Sequence, residues 1–310
     1  MALTLTEAQT LSQNKLVKGI IEELIKESPL MARYPFVTLN GNALAINRED
    51  EDDLGSVGFH AVGGVWTESS ATFDQVTFAL KVLGGDCDVD NLIQASMSNI
   101  NDQMAAQVKV KTKLMAHEFE DTAIYGDDTS TNEFDGLHVL VASGQQVHAG
   151  SSATGAALTL AGLDELVDKV VGGKPDMLLM NKQIRRRLTQ YLRTIGSYTT
   201  GRDEFGRTWG MWGDDIPFIS TDFITQTETI SGSAYSAKTG GATSSIFAIR
   251  FGEGDGLCGI QNGSIQTEYW DKLESKDASR TRIKWYVGQA LYSTKAIARI
   301  DGITNVAMTA

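Results

Sequence analysis

Cysteine is nearly absent from this chain: among 310 residues only Cys87 and Cys258 carry thiols, far apart in sequence and neither in a CxxC pair. A disulfide framework or a structural zinc site needs a cluster of such residues. What remains is a pair of reduced, packed thiols. Proline is scarce as well, four residues against 31 glycines, so the punctuation is mostly glycine. No apolar run approaches the roughly 18 residues of a membrane span, and MALTLTEAQT lacks the basic start and apolar core of a signal peptide. The expected setting is a cytoplasm, with no membrane. Positive charge is also in deficit. The 27 Lys and Arg face 39 Asp and Glu, a formal net charge of −12. Proteins that grip nucleic acid by neutralising phosphates draw their affinity from clustered Lys and Arg, so tight clasping of nucleic acid is excluded.

Recognisable catalytic chemistry is missing too. The four histidines, His60, His117, His138 and His148, are scattered, and there is no HExxH, no GxSxG elbow and no P-loop. Gly254, Gly256 and Gly259 in GEGDGLCG satisfy GxGxxG in form. A dinucleotide site also requires a helix opening at that loop, and the following IQNGSIQTEYW reads as strand, so the glycines are expected to make a plain turn. The acids Glu49, Asp50, Glu51, Asp52 and Asp53 lack the alternating ligands and central glycine of a calcium loop. No catalytic, metal or cofactor residue is assigned, and the chain is not read as an enzyme. Arg185, Arg186, Arg187 and Arg193 on one helix, and Lys109, Lys111 and Lys113 on another, are expected to serve solvated faces or ion pairs with a partner.

The residues that are present, 42% hydrophobic and 21% charged, suit a globular chain of one large or two modest domains. From about 91 to 125, Ile93, Met97, Ile100, Met104, Val108, Met115 and Phe119 follow helical steps of three and four, uninterrupted by Pro or Gly until Gly126. At 1.5 Å per residue, roughly 35 residues make a rod of about 50 Å. Within it VKVKTK, Val108 to Lys113, alternates with period two, but the longer helical period outweighs it. Ahead of the rod, Thr6 caps an amphipathic helix bearing Leu16, Val17, Ile20, Ile21, Leu24 and Ile25, stopped by Ser28 and Pro29. Two strand-like runs, NALAINRE and ATFDQVTFALKVL, flank about twenty residues that read as the end of a projecting hairpin arm carrying the acids and Trp66. Aromatics of that kind are enriched at interfaces.

After the rod, Gly136 precedes LHVL, read as a short apolar strand, and HAGSSATGAALTLAG reads as a loop. Helix LDELVDKVVGG, strand PDMLLMN, helix NKQIRRRLTQYLRTIG and strands DDIPFISTDFI and SSIFAIRF then alternate as in a mixed α/β domain. GSIQTEYW and TRIKWYVGQALYSTKAIARI close the chain as two long β-rich runs joined by DKLESKDAS.

This order of parts resembles the major capsid proteins of tailed phages with the HK97-type fold. The residues carrying the resemblance are SPLMARYPF with GNALAINRE, AIYGDDTSTNEFDGL, KPDMLLMNKQIRRRL, WGDDIPFISTD, SSIFAIRFGEGDGLCGI and TRIKWYVGQALYSTKAIARIDGI. It implies an α+β chain: an N-terminal arm at 1–40 and an extended β-hairpin loop at 41–83. A peripheral domain at 84–136 and 257–290 would hold the spine helix, and an α/β axial domain would occupy 137–256 and 291–310. It further implies self-assembly, as pentamers and hexamers, into an icosahedral shell enclosing double-stranded DNA without sequence-specific binding. Separate scaffolding, portal or decoration proteins are the other partners of that family. Candidate inter-subunit contacts are Glu49, Asp50, Glu51, Asp52, Asp53, Trp66, Lys109, Lys111 and Lys113. An encapsulin-type compartment uses the same fold and is the rival reading. The covalent cross-link of the family's namesake needs a loop lysine, and between Asn42 and Leu80 there is Arg48 but no lysine. With Met1 directly before the arm, an N-terminal scaffolding region is not expected either.

Overall fold

A computed structural model of the chain describes residues 30–31, 33–49, 57–66, 68–97, 103–129, 132–150, 153–196, 199–202, 208–213, 215–232 and 234–308. The amphipathic stretch expected between Thr6 and Ile25 lies outside these residues.

The chain enters through β1 (Phe36–Thr38) and forms a hairpin from β2 (Ala43–Glu49) and β3 (Phe73–Ala79). β4 (Lys81–Asp90) then leads into α1 (Asn91–Met97) and α2 (Gln103–Tyr125). The rod expected over 91–125 is therefore seen as these two helices, residues 98–102 being outside the described set. Val108 to Lys113 is helical despite its period of two. α2 turns its Phe119 stripe inward. The Phe119 ring meets Tyr34, Phe36, Phe134 and Trp285 with centroids 5.1–6.0 Å apart.

LHVL is not a strand. It is one helical turn, α3 (Leu137–Leu140), in which Leu140 N–H donates to Gly136 O. Four residues show no period, and a turn rather than a strand buries Leu137 and His138 together. β5 (Gln146–His148) follows. α4 (Leu160–Asp168) starts inside the stretch expected to be loop, because the Thr159 hydroxyl caps it by accepting from Gly162 N–H. β6 (Met177–Asn181) and α5 (Lys182–Ile195) stand as expected, with Asn181 capping the helix and Gly196 ending it at φ 75°. β7 (Thr199–Arg202) and β8 (Thr208–Trp212), which no sequence signal announced, precede β9 (Ile216–Thr221). The small pair β10 (Thr229–Ser231) and β11 (Ala234–Ala237) leads to β12 (Thr243–Ile249). β13 (Leu257–Gln261) leaves the GEGDGLCG turn directly, so no helix N-terminus faces those glycines. β14 (Gln266–Trp270), β15 (Ala278–Leu291) and β16 (Ile297–Thr304) complete the described chain.

These strands build two main sheets. In the first, the long β15 is central: β4 pairs along 278–287 of one edge, β14 and β13 share the other, and β1 lies parallel beyond β13. The second has the order β5-β16-β12-β6-β9-β8-β7. TRIKWYVGQALYSTKAIARI, one run by sequence, is thus cut at Tyr292 and divided between sheets. The second sheet is covered on both faces. Leu178, Met180, Ile246 and Ile300 meet Leu163, Leu166, Ile184 and Leu188 of α4 and α5. Met177, Leu179, Phe247 and Ile297 join Phe119, Leu137 and Trp285 in the core shared with the first sheet. A strand buried on both faces reads as the continuous MLLM rather than as an alternation.

Candidate interaction surfaces

The β2–β3 hairpin is built on period two. Leu44, Ile46, Val76 and Phe78 turn toward the body, while Ala45, Asn47, Gln75 and Thr77 turn to water. Beyond the paired strands the character reverses. Val57, Phe59, Val62 and Trp66 are 103%, 110%, 108% and 73% exposed around a turn closed by Gly64 N–H donating to Ala61 O, with Gly63 at φ 85°. The Trp66 ring lies 4.1 Å from that of His60, on the same tip. Burying one such side chain is worth about 1.5–3 kcal/mol, and a cluster left in water marks an interaction site. Of the expected acids, Glu49 is exposed at the end of β2, and Asp50, Glu51, Asp52 and Asp53 lie outside the described residues. Val57, Phe59, Val62 and Val65 went unnoticed in the sequence; large apolar residues interleaved with glycine in GSVGFHAVGGVW were the available signal.

On α2, Lys109 and Lys113 stand one turn apart, whereas Lys111 turns about 200° away, toward Gly84 and Gly85 of β4. There Lys111 and Glu118 rim a groove whose floor is Leu83, Met115 and Ile283, with half-exposed Leu114 beside it. Gly84 lets the strands approach, since a Cβ at that position would lie 2.3 Å from Ile283 O. Met104, expected on the buried stripe, is half-buried against Val89 and Ile93.

The first sheet carries a cross-strand charge ladder. Arg282 Nε donates to Asp86 at 2.7 Å and Arg280 Nε to Asp88 at 2.6 Å, directly opposite in register. Those hydrogen bonds hold both carboxyls below the usual aspartate range. Next to the ladder, Cys87 is free and buried, as is Cys258; burial raises both thiol pKa values, Cys258 to about 11, so both stay protonated and inert.

Where α2 ends, a polar cluster ties it to the second sheet. Tyr125 Oη donates to Glu228 Oε1 and Ser245 Oγ to Glu228 Oε2, each at 2.6 Å. Arg299 Nε lies 2.6 Å from Asp301 Oδ1, and its NH1 lies 2.8 Å from His138 O and 3.0 Å from His138 Nδ1. The imidazole stacks on Tyr235 at 3.6 Å and, more distantly, beside Tyr125 at 5.0 Å between centroids. Since Nδ1 accepts from arginine, the ring proton sits on Nε2, 3.4 Å from Glu228 Oε1. These carboxylates are sealed, so the cluster holds structure together and offers no substrate a path.

Burial holds the His138 pKa below its usual value, with hydrogen bonding to Glu228 partly opposing it. A depressed histidine pKa means that the fold favours the neutral ring, so its contribution is complete above about pH 6.5 and is lost as pH falls below that value. The Tm of the dissociated subunit should be flat from pH 8 to 7 and fall between about 6.5 and 5, before the ladder aspartates titrate. His138→Gln should flatten that segment; an unchanged slope in the variant would remove His138 from the explanation.

Among the described residues no group of three or more His, Cys, Asp or Glu is arranged to hold a metal ion, and no helix is long and apolar enough to cross a membrane. The family model described as SU10 major capsid protein matches residues 86–232, from β4 to the β10–β11 turn. Among solved structures, the chain is similar to the SrpI encapsulin of Synechococcus elongatus PCC 7942, with 18% identity, TM-score 0.73 and coverage of 100% of this chain and 99% of that one. It is similar to the capsid of a native GTA particle, at 16% identity, TM-score 0.65 and coverage of 94% and 95%. Microbacterium phage Oxtober96 gives 14%, 0.63, 97% and 98%. No curated protein matches at the sequence level.

Proposed function

We infer that this chain, which belongs to the HK97-type family of tailed-phage major capsid proteins, assembles with its own copies into an icosahedral head shell around double-stranded DNA. The observation that carries this is the SU10 major capsid protein match over 86–232, in a chain whose fold is similar to those of the two capsid structures over 94% and 97% of its length. The role is structural and not enzymatic, and the place of the protein is the virion capsid.

Finer assignments complete the proposal. Residues 1–40 are the arm, 41–83 the extended loop, 84–136 with 257–290 the peripheral domain, and 137–256 with 291–310 the axial domain; the division of strands between two sheets supports this partition. Copies meet as pentamers and hexamers, assembled in the host cytoplasm, and the net charge of −12 keeps the wall from adhering to the DNA it encloses. Glu49 to Asp53 and Trp66 of one subunit reach α2 of a neighbour, which bears Lys109 and Lys113 on one face and Lys111 on the other. Exposed pairs are worth about 0–1 kcal/mol each, but the same set repeats at every contact.

Assembly should therefore weaken as the Debye length falls from about 10 Å at 0.1 M salt to about 3 Å at 1 M. Exchanging Asp50, Asp52 and Asp53 for Asn should remove much of that salt dependence. Lys109, Lys111 and Lys113 to Gln should act non-additively with it, by light scattering of assembling subunits. Full additivity would show that the clusters do not face each other.

The full-length match to an encapsulin at TM-score 0.73 favours a second reading, a compartment enclosing protein. Electron microscopy of particles from their natural source separates the two: nuclease-protected DNA inside supports the phage head, enclosed protein the compartment, and the absence of closed shells overturns both.

A further inference from the structure

On β2 the positions facing the body run Leu44, Ile46, Arg48, and only the last is charged. An apolar residue would continue that stripe; arginine instead brings donors to two backbone acceptors. Its Nε donates to Tyr292 O at 3.0 Å, a terminal nitrogen of the same guanidinium donates to Leu291 O, and the group lies 5.7 Å from the Phe78 ring centroid. Both carbonyls belong to the crossing at which the chain leaves β15 in the first sheet for β16 in the second. Pairing of the hairpin ends one step later, at Glu49 opposite Phe73, and residues 57–66 beyond it are exposed throughout.

We propose that Arg48 is a positioning residue for assembly: by gripping the crossing between the sheets it sets the direction in which the hairpin tip leaves the subunit, and so the curvature of the shell that the tips join. This rests on the shell reading above. A planar guanidinium donating to two successive carbonyls fixes an angle as well as a distance, which a lysine ammonium on its flexible stem does not. Leu44, Ile46 and Phe78 hold the base of the hairpin by non-directional packing, so it stays attached without the grip but is free to swing.

The experiment compares the parent with Arg48→Met, which keeps an unbranched stem and removes the donors, and Arg48→Lys, which keeps the charge. On dissociated subunits, amide exchange over 43–48 and 74–79 should quicken about tenfold in R48M, with Tm within about 2 °C of the parent. In electron micrographs R48M should give shells of several diameters or open sheets where the parent gives one size, and R48K should lie between. Unchanged exchange in the hairpin, or R48M shells of the parent's single diameter, overturns the proposal. Should R48M fail to fold, R48K carries the same exchange measurement, and failure of both shows a packing element and overturns it too. A parent that forms no shells refutes the shell reading instead, while the exchange result still decides whether Arg48 holds the hairpin.

Discussion

Arg299→Met should destabilise the subunit by about 3–5 kcal/mol, a fall in Tm on the order of 10 °C. Arg299 and Asp301 are 2% and 0% exposed, Glu228 is 1% exposed, and the single guanidinium lies against Asp301 and both His138 Nδ1 and the His138 carbonyl. Removing it leaves buried carboxylates facing one another through Ser245, whose hydroxyl lies 2.6 Å from Glu228 and 3.1 Å from Asp301. Breaking one member of a buried pair costs far more than the pair is worth, because the survivor stays dehydrated and uncompensated. Two consequences separate this account from simple loss of packing. Arg299→Met combined with Asp301→Asn should recover part of the loss, and the single variant should regain stability as pH is lowered and a stranded carboxylate takes up a proton. Denaturant unfolding of dissociated subunits measures both. A loss below about 1 kcal/mol, or a double variant worse than the single one by the full cost of each, would show that the charges are not coupled.

Trp66→Ala should leave subunit stability nearly untouched and reduce assembly at least tenfold. Trp66 is 73% exposed and lies tilted against His60 of the same tip, so truncating it removes little that the folded subunit uses. Buried against a neighbour, the same ring is the kind of anchor whose loss costs about 2 kcal/mol or more, and every 1.4 kcal/mol is a factor of ten. Val57, Phe59 and Val62 share that exposed tip, and Phe59→Ser should act in the same direction. Sedimentation of assembly mixtures, with Tm measured on the same preparations, checks the result. A variant subunit that melts early would place the tip against its own domain; one that assembles at the parent's rate would remove Trp66 from the interface.

Local pattern was enough for much of this fold. The stripe that brings Met115 and Phe119 to the core and the alternating arms of the hairpin each repeat a period, while the helix between Asn181 and Gly196 and the continuous apolar MLLM and SSIFAIRF strands are marked by residue type, and signals of both kinds are visible without knowing the partner. LHVL misled because four residues, three of them apolar, have no period, and the helical turn is chosen by where His138 must stand. The long final β run could not announce its break at Tyr292. Both halves have strand character, and only the positions of β4, β13 and β12 decide which sheet each half joins.

The interaction features divide in the same way. Trp66 and the acids after Arg48 stood out because residue type and charge runs are local facts, whereas the polar cluster draws on residues 125, 138, 228, 245, 299 and 301. Nothing along the chain connects those six, since burial and ion pairing are properties of spatial neighbours. Arg48 shows the limit most plainly. In the sequence it is the lone Lys or Arg between Asn42 and Leu80, and only the docking of β2 against the end of β15 puts two backbone carbonyls, 243 and 244 residues further on, within reach of its guanidinium. The residues alone determined which elements form and which of their faces are apolar, because those depend on neighbours a turn or a strand step away. Which carbonyl, carboxylate or ring each charged side chain meets was decided by tertiary packing, because hydrogen bonds and ion pairs act over about 3 Å and the chain must fold before such partners come together.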